Sequence, residues 1–238
     1  MKLAIIGYGK MGKVIEKVAL NRGHEIVLKI DQDNVDLLQK GELNGAEAAI
    51  EFSRPESAVD NILACFQHNL PVAVGTTGWY EHWEKVKSEC ESKKGAIVAA
   101  TNFSVGVNLF FELNKKLAEL MSKRDEYTAK VEETHHTEKL DSPSGTAITI
   151  AEGLIEKHSL YQNWENQQTE KNTTLDIISY REAGVPGTHT VTYDSPIDQI
   201  SISHKAKNRE GFALGAVLAA EFLNGKTGIY QMKDVLNF

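Results

Sequence analysis

Cysteine is nearly absent: Cys65 and Cys90 stand far apart with no Cys-x-x-Cys spacing. Neither a disulfide framework nor a thiolate metal site is expected, and two reduced thiols fit a cytosolic protein. Long apolar runs are missing too. The N-terminal run before Gly7 is four residues, short for a signal-peptide core, and Phe212 to Leu223 is interrupted by Gly215 and Glu221. Neither approaches the ~20 apolar residues of a spanning helix, so no membrane association is expected. Positive charge is in deficit, with 26 basic against 33 acidic residues and a net charge of −7. That balance argues against nucleic-acid or polybasic membrane-surface binding, because no basic stripe is available to meet phosphates. Internal repeats and low-complexity segments are also lacking.

What remains is an ordinary globular composition, 41% hydrophobic and 25% charged over 238 residues. The first hundred residues alternate short apolar runs with amphipathic ones. Strands are expected at Leu3 to Ile6, Glu25 to Ile30, Ala48 to Phe52, Pro71 to Val74 and Ile97 to Ala100. Helices fall between them around Met11 to Val18, Ser57 to Gln67 and Trp79 to Cys90. Right-handed crossovers then give a doubly wound parallel sheet. After the helix Leu109 to Met121 the pattern changes. Strands at Tyr127 to Glu133, Thr173 to Ser179, His189 to Tyr193 and Ile200 to Ser203, with one helix at Ala147 to Lys157, predict a smaller α+β domain with a mixed or antiparallel sheet. Tyr161 to Asn172 reads as a mobile loop, Phe212 to Leu223 as a helix, and Asp234 to Phe238 as a last strand.

Gly7-Tyr8-Gly9-Lys10-Met11-Gly12 fits G-x-G-x-x-G directly after a strand and at the start of a helix. Gly7 permits the tight turn, Gly9 lets the backbone approach a pyrophosphate, and Gly12 lets helix and strand pack closely. Asp31 ends the second strand about 20 residues on, where a carboxylate accepts the hydroxyls of the adenine ribose. Gln32 follows it, so no basic residue adjoins Asp31 to meet a 2′-phosphate, which leans towards NADH; Lys10 or Lys13 leaves NADPH open. Gly75-Thr76-Thr77 and Ala100-Thr101-Asn102-Phe103 follow strands four and five, where open α/β sheets bind ligands. The first domain is therefore expected to be of Rossmann type.

Glu133 to Ala147 carries the chemical signal. Ser142 and Pro143 read as a helix cap and first turn, leaving Gly145 and Thr146 at the positive end of the helix dipole to receive a carboxylate or phosphate. His135 and His136 are suited to proton transfer near neutrality, and Lys139 adds a fixed positive charge. A dicarboxylate substrate suits that set. No metal is expected, since His-His-x-Glu is not a H-E-x-x-H arrangement.

Phe52-Ser53-Arg54-Pro55-Glu56, Val74 to Gly78, Thr101 to Asn108, the run Glu133 to Ala147, and His204-Lys205-Ala206 with Arg209 and Met232 to Leu236 carry a resemblance running the length of the chain. The sequence resembles the dihydrodipicolinate reductase family of the diaminopimelate route to lysine. The resemblance implies NADH- and/or NADPH-dependent reduction of 4-hydroxy-tetrahydrodipicolinate to tetrahydrodipicolinate. It implies that His135 is the acid/base residue, that Lys139 is proton donor and carboxylate partner, and that His136, Gly145 and Thr146 bind substrate. Gly7 to Gly12, Asp31, Gly75 to Thr77 and Ala100 to Phe103 would hold the cofactor. A cytoplasmic homotetramer assembled through the second domain's sheet is also implied. The expected division is a dinucleotide-binding domain of residues 1–104 with 211–238, and a substrate-binding and oligomerisation domain of residues 105–210. The rival readings are an amino-acid dehydrogenase of similar two-domain build and a non-catalytic dinucleotide-binding sensor, the latter having no use for His135 and Lys139.

Overall fold

Leu3, Ala4, Ile5 and Ile6 are wholly buried in the first strand, β1 (Lys2–Ile6), because helices cover both faces of the sheet to which it belongs. A computed structural model describes residues 1–238. The chain forms two units, Met1–Val105 with Arg209–Phe238, and Gly106–Asn208.

The first unit continues from β1 through α1 (Lys10–Asn21), β2 (Glu25–Ile30), α2 (Val35–Lys40), β3 (Ala48–Glu51), α3 (Pro55–Gln67), β4 (Val72–Val74), α4 (Trp83–Ser92) and β5 (Ala96–Ala99). The second holds α5 (Val105–Met121), β6 (Thr128–His135), α6 (Gly145–Lys157), β7 (Asn163–Glu165), β8 (Thr174–Arg181), β9 (Thr188–Asp194) and β10 (Gln199–Lys205). The chain then returns to the first unit with α7 (Glu210–Leu223), β11 (Gly228–Tyr230) and α8 (Met232–Leu236).

In the first unit the order is β11-β5-β4-β3-β1-β2, every pair parallel. Leu38, Ile62, Phe66, Trp79 and Val86 pack one face. Ile15 and Ala19 of α1, the small residues of α7, and Met232 pack the other. In the second unit the order is β10-β9-β6-β8-β7. The central strand β6 runs antiparallel to β9 and parallel to β8, so the sheet is mixed. Ala129, Val131, Glu133 and His135 alternate inward along β6, beneath Phe110, Ala118, Ile150 and Leu154 of α5 and α6. The fold is thus a Rossmann-type parallel sheet with a smaller α+β unit, as the patterning implied.

Four local expectations are corrected. Tyr161 to Asn172 contains a short parallel edge strand, β7, whose Trp164 packs on the core, so it is an ordered element. The last strand is Gly228–Tyr230, and Met232–Leu236 is a helix with a Gln231/Asp234 capping box where a strand was expected. A 3₁₀ turn, Gln32–Asn34, and α2 fill the stretch after Asp31, which the apolar pattern had not resolved. Finally, α6 starts at Gly145 with Ser144 as its cap, two residues later than Ser142, because the Ser144 hydroxyl reaches the Ala147 N–H at 3.1 Å.

Gly215 shows how closely α7 lies on this sheet's connections: a Cβ there would overlap the Phe103 carbonyl. Helix propensity alone favours Gly215→Ala by about 1 kcal/mol. The backbone clash outweighs it, and overpacking of this kind costs about 1–3 kcal/mol. Urea denaturation is expected to show a net loss of stability for Gly215→Ala; a gain would mean α7 yields freely.

Candidate active site

The carboxyl ends of β1, β2 and β3 open onto a cleft of about 580 Å³ lined by Gly7, Gly9, Asp31, Gln32, Val35, Ser53 and Arg54. Gly7 has φ of +92°, and a side chain there would overlap the Phe52 carbonyl, so this turn requires glycine. A Cβ on Gly12 would overlap the Gly7 carbonyl, whereas the Cβ position of Gly9, the residue before α1, meets nothing within 4 Å. The backbone at Gly9 is therefore the open side of the loop. Tyr8 turns away: its hydroxyl bonds Glu16, and Lys29 sits over its ring at 4.6 Å. Lys10 is exposed, and Met11 packs against the core.

Asp31 lies at the cleft, one carboxylate oxygen accepting the Gln32 N–H at 2.9 Å as it caps the 3₁₀ turn. With its carboxamide oxygen facing Arg54, Gln32 lies 2.9–3.3 Å from the three guanidinium nitrogens. Arg54 thus brings a cation to the Asp31 end of the cleft from a different loop. Reading only the residue after Asp31 missed it; its signal was the place of Phe52-Ser53-Arg54 after a strand. Thr76, at the end of β4, is buried, its hydroxyl accepting the Ser53 N–H at 2.8 Å and its carbonyl the Trp79 indole N–H at 2.8 Å. Its side chain serves the loop's own structure. Phe103 is buried, with its ring 5.7 Å from that of Phe52. Asn102 accepts the Ser104 N–H at 2.8 Å, and Thr101 is exposed.

The second unit gathers its polar groups around Glu133, which is 1% exposed. One of its oxygens accepts from the Ser144 N–H at 2.9 Å and the Ser179 hydroxyl at 2.8 Å. The other lies 3.3 Å from His135 Nδ1 and 3.6 Å from His189 Nε2. Burial alone would push this carboxyl up, but His135, His189 and Ser144 outweigh it and hold it far below the usual carboxylate range. His189 goes the other way: burial lowers it, and neighbouring His135 adds to the effect, against the pull of Glu133. The His135 and His189 rings meet edge-on at 5.0 Å, and a Cβ on Gly187 would come 3.0 Å from His135 Nε2.

His135 is thus packed in, whereas adjacent His136 is half-buried on the other side of the strand end. The Lys139 ammonium pairs with both Asp141 oxygens, at 2.7 and 2.8 Å. Arg181 fastens this turn, donating to the Asp141 carbonyl at 2.7 Å and the Tyr180 carbonyl at 2.9 Å. Gly145 is exposed at the start of α6, its Cβ position open, with Thr146 next to it. Glu133, His189 and Arg181 were not singled out from sequence. Only the last two lie outside the quoted run, and neither is near it in the chain. Glu133, His135 and His189 each place one donor atom within 4.8 Å of the others, a set that suits a divalent cation as well as a proton network.

The sign of the acid response follows from these groups. His158, His189 and His204 are all lowered by burial, so the unfolded chain takes up their protons first and stability is lost as pH falls below about 6.5. Glu133 adds stability that is present above its ordinary value of 4.5 and lost below it. Urea midpoints are expected to fall steadily from pH 7.5 to 5, with a further drop towards pH 3.5. Glu133→Ala at pH 7.5 is expected to cost about 3–5 kcal/mol, as removal of one member of a buried charged cluster does. A flat profile would contradict the burial of these histidines.

Family models for the N-terminus and the C-terminus of dihydrodipicolinate reductase match residues 1–103 and 106–236. The 4-hydroxy-tetrahydrodipicolinate reductase of Christiangramia forsetii is 49% identical over 239 residues, covering 100% of this chain and 98% of the relative. That of Thermosipho africanus is 35% identical over 99% of this chain and 98% of its own. Among solved structures, a dipicolinate-bound dihydrodipicolinate reductase from Paenisporosarcina superposes with a TM-score of 0.75 over 97% of both chains, at 20% identity, which speaks to the fold. With both halves matched and full-length relatives well above 30% identity, the chain belongs to the dihydrodipicolinate reductase family.

Proposed function

We propose how the residues of this oxidoreductase divide the work of reducing 4-hydroxy-tetrahydrodipicolinate to tetrahydrodipicolinate. The observation that carries the reading is the run from Glu133 to Ala147, folded so that Lys139 and the start of α6 flank a buried acid–histidine cluster. A nicotinamide cofactor would lie along Gly7 to Gly12 and the loops Gly75 to Thr77 and Ala100 to Phe103, and when bound it supplies the hydride. Gly145 and Thr146 bind one substrate carboxylate through the positive end of α6. Lys139 binds the substrate and donates the proton, releasing Asp141 as it does so. His136 contacts the substrate, and His135 serves as acid/base, its ring held on the Nδ1 side by Glu133. Loss of water from the hydroxylated ring precedes reduction, and the incoming hydride and proton together saturate one double bond.

Asp31 meets the ribose hydroxyls of NADH, and Arg54, already beside Gln32, meets a 2′-phosphate. On this reading the site would accept either cofactor. Assembly into a homotetramer would use the half-exposed face of the five-stranded sheet, where Ser201 and Ser203 of β10 are exposed. No helix is long and apolar enough to cross a membrane, and a small dicarboxylate substrate together with the biosynthetic role fits the cytoplasm.

Turnover followed by NADH absorbance, with substrate generated enzymatically, tests the roles. Lys139→Ala is expected to lower kcat about 100-fold or more while NADH affinity is unchanged; unaltered turnover would remove Lys139 from the chemistry. His135→Gln is expected to lose most activity with native circular dichroism. Arg54→Ala should raise KM for NADPH about tenfold and KM for NADH much less, whereas Asp31→Ala should raise KM for NADH more than KM for the ring substrate. Equal effects on both cofactors would take Arg54 out of the specificity pocket.

A further inference from the structure

We propose that Glu51 is a positioning residue for the cofactor, its buried carboxyl tying the loop after β3 to the loop after β4. The proposal rests on the cofactor cleft assigned above and concerns a residue that does not line it. Glu51 ends β3 and is fully buried. Its Oε1 accepts from the Ser53 N–H at 3.2 Å, from the Ser53 hydroxyl, and from the Asn61 amide of α3 at 3.4 Å. The same Ser53 N–H also donates to Thr76 Oγ1 at 2.8 Å, and Asn61 donates to Ser53 Oγ at 3.2 Å. Ser53 and Asn61 line the cleft, and Thr76 is the middle of Gly75-Thr76-Thr77. One carboxyl therefore holds two cofactor loops and a helix at fixed spacing.

Its charge state follows from what surrounds it. No cation pairs with Glu51, and its Oε2 is buried without a hydrogen-bond partner. An ionised carboxylate in that setting is strongly disfavoured, and burial pushes the group up. As a neutral acid, Glu51 presents a carbonyl oxygen, Oε1, to its three donors and carries its proton on Oε2. Phe52, the next residue, closes the platform: a Cβ on Gly75 would overlap its ring.

A neutral clamp and a charged one respond differently to amide substitution. Glu51→Gln keeps size, neutrality and the accepting oxygen, and its NADH dissociation constant is expected within about twofold of wild type. Glu51→Leu keeps bulk but accepts nothing, and is expected to weaken NADH about tenfold or more. The affinity for pyridine-2,6-dicarboxylate, bound through the other unit, is expected to be unchanged in both. Infrared difference spectra between wild type and Glu51→Gln are expected to show loss of a protonated-carboxyl C=O band, a readout independent of whether the leucine variant folds. Wild-type NADH affinity in Glu51→Leu, a glutamine variant as weak as the leucine one, or loss of carboxylate bands alone would each overturn the proposal. Failure of the wild type itself to bind NADH would instead bring down the cofactor reading.

Discussion

The second unit depends on a charge kept out of water. Glu133 carries its negative charge at the end of a central strand, where an unpaired carboxylate would be unsustainable. Groups from four places surround it: the Ser144 N–H at the start of α6 and the Ser179 hydroxyl of β8 donate hydrogen bonds, and the rings of His135 and His189 lie 3.3 and 3.6 Å away. Each of those elements is thereby fixed in direction by one point. His135 and the start of α6, to which the proposed function gives different tasks, share an anchor. Loosening one disturbs the other.

A second buried acid solves a different problem in the cofactor unit. Glu51 ends β3 and Glu133 lies two residues from the end of β6, and both accept from a neighbouring serine hydroxyl. They differ in company. Two imidazoles and an arginine at 4.0 Å surround Glu133, while hydroxyls and an amide surround Glu51. The first is therefore held charged, and the second, on the proposal above, neutral, so that the same side chain would organise a polar site in one unit and brace a nucleotide platform in the other. Which state prevails is decided by the donors, since burial acts on both alike.

The parallel sheet was legible because its strands are short apolar runs separated by amphipathic helices, and Gly7 to Gly12 announced itself by position. Asp31 and the helix end at Gly145 and Thr146 were also legible, since their chemistry depends on strand and helix termini. Three kinds of feature were not. The stretch after Asp31 is too polar to signal a helix, and Met232 to Leu236 too short to distinguish one from a strand. The true cap of α6 required knowing that the Ser144 hydroxyl, two residues beyond Ser142, reaches Ala147. His189, Arg181 and Arg54 join their sites from elements distant in the chain, and no spacing rule in a single sequence connects β9 to β6. Pairing across a sheet is a tertiary fact.

Lys139 shows why such groups are arranged in competition. Before substrate arrives, its ammonium is held by both oxygens of Asp141, whose own carboxyl, raised by burial, is brought below its usual range chiefly by that lysine. In the proposed mechanism a substrate carboxylate entering here would exchange one ion pair for another, so its affinity would be the difference between two similar pairings. Arg181 fastens the backbone of Asp141 and leaves its carboxylate to move. The lysine is thereby oriented in the resting site, and in the proposed mechanism the energy that would otherwise go into tight ground-state binding remains for the proton-transfer step.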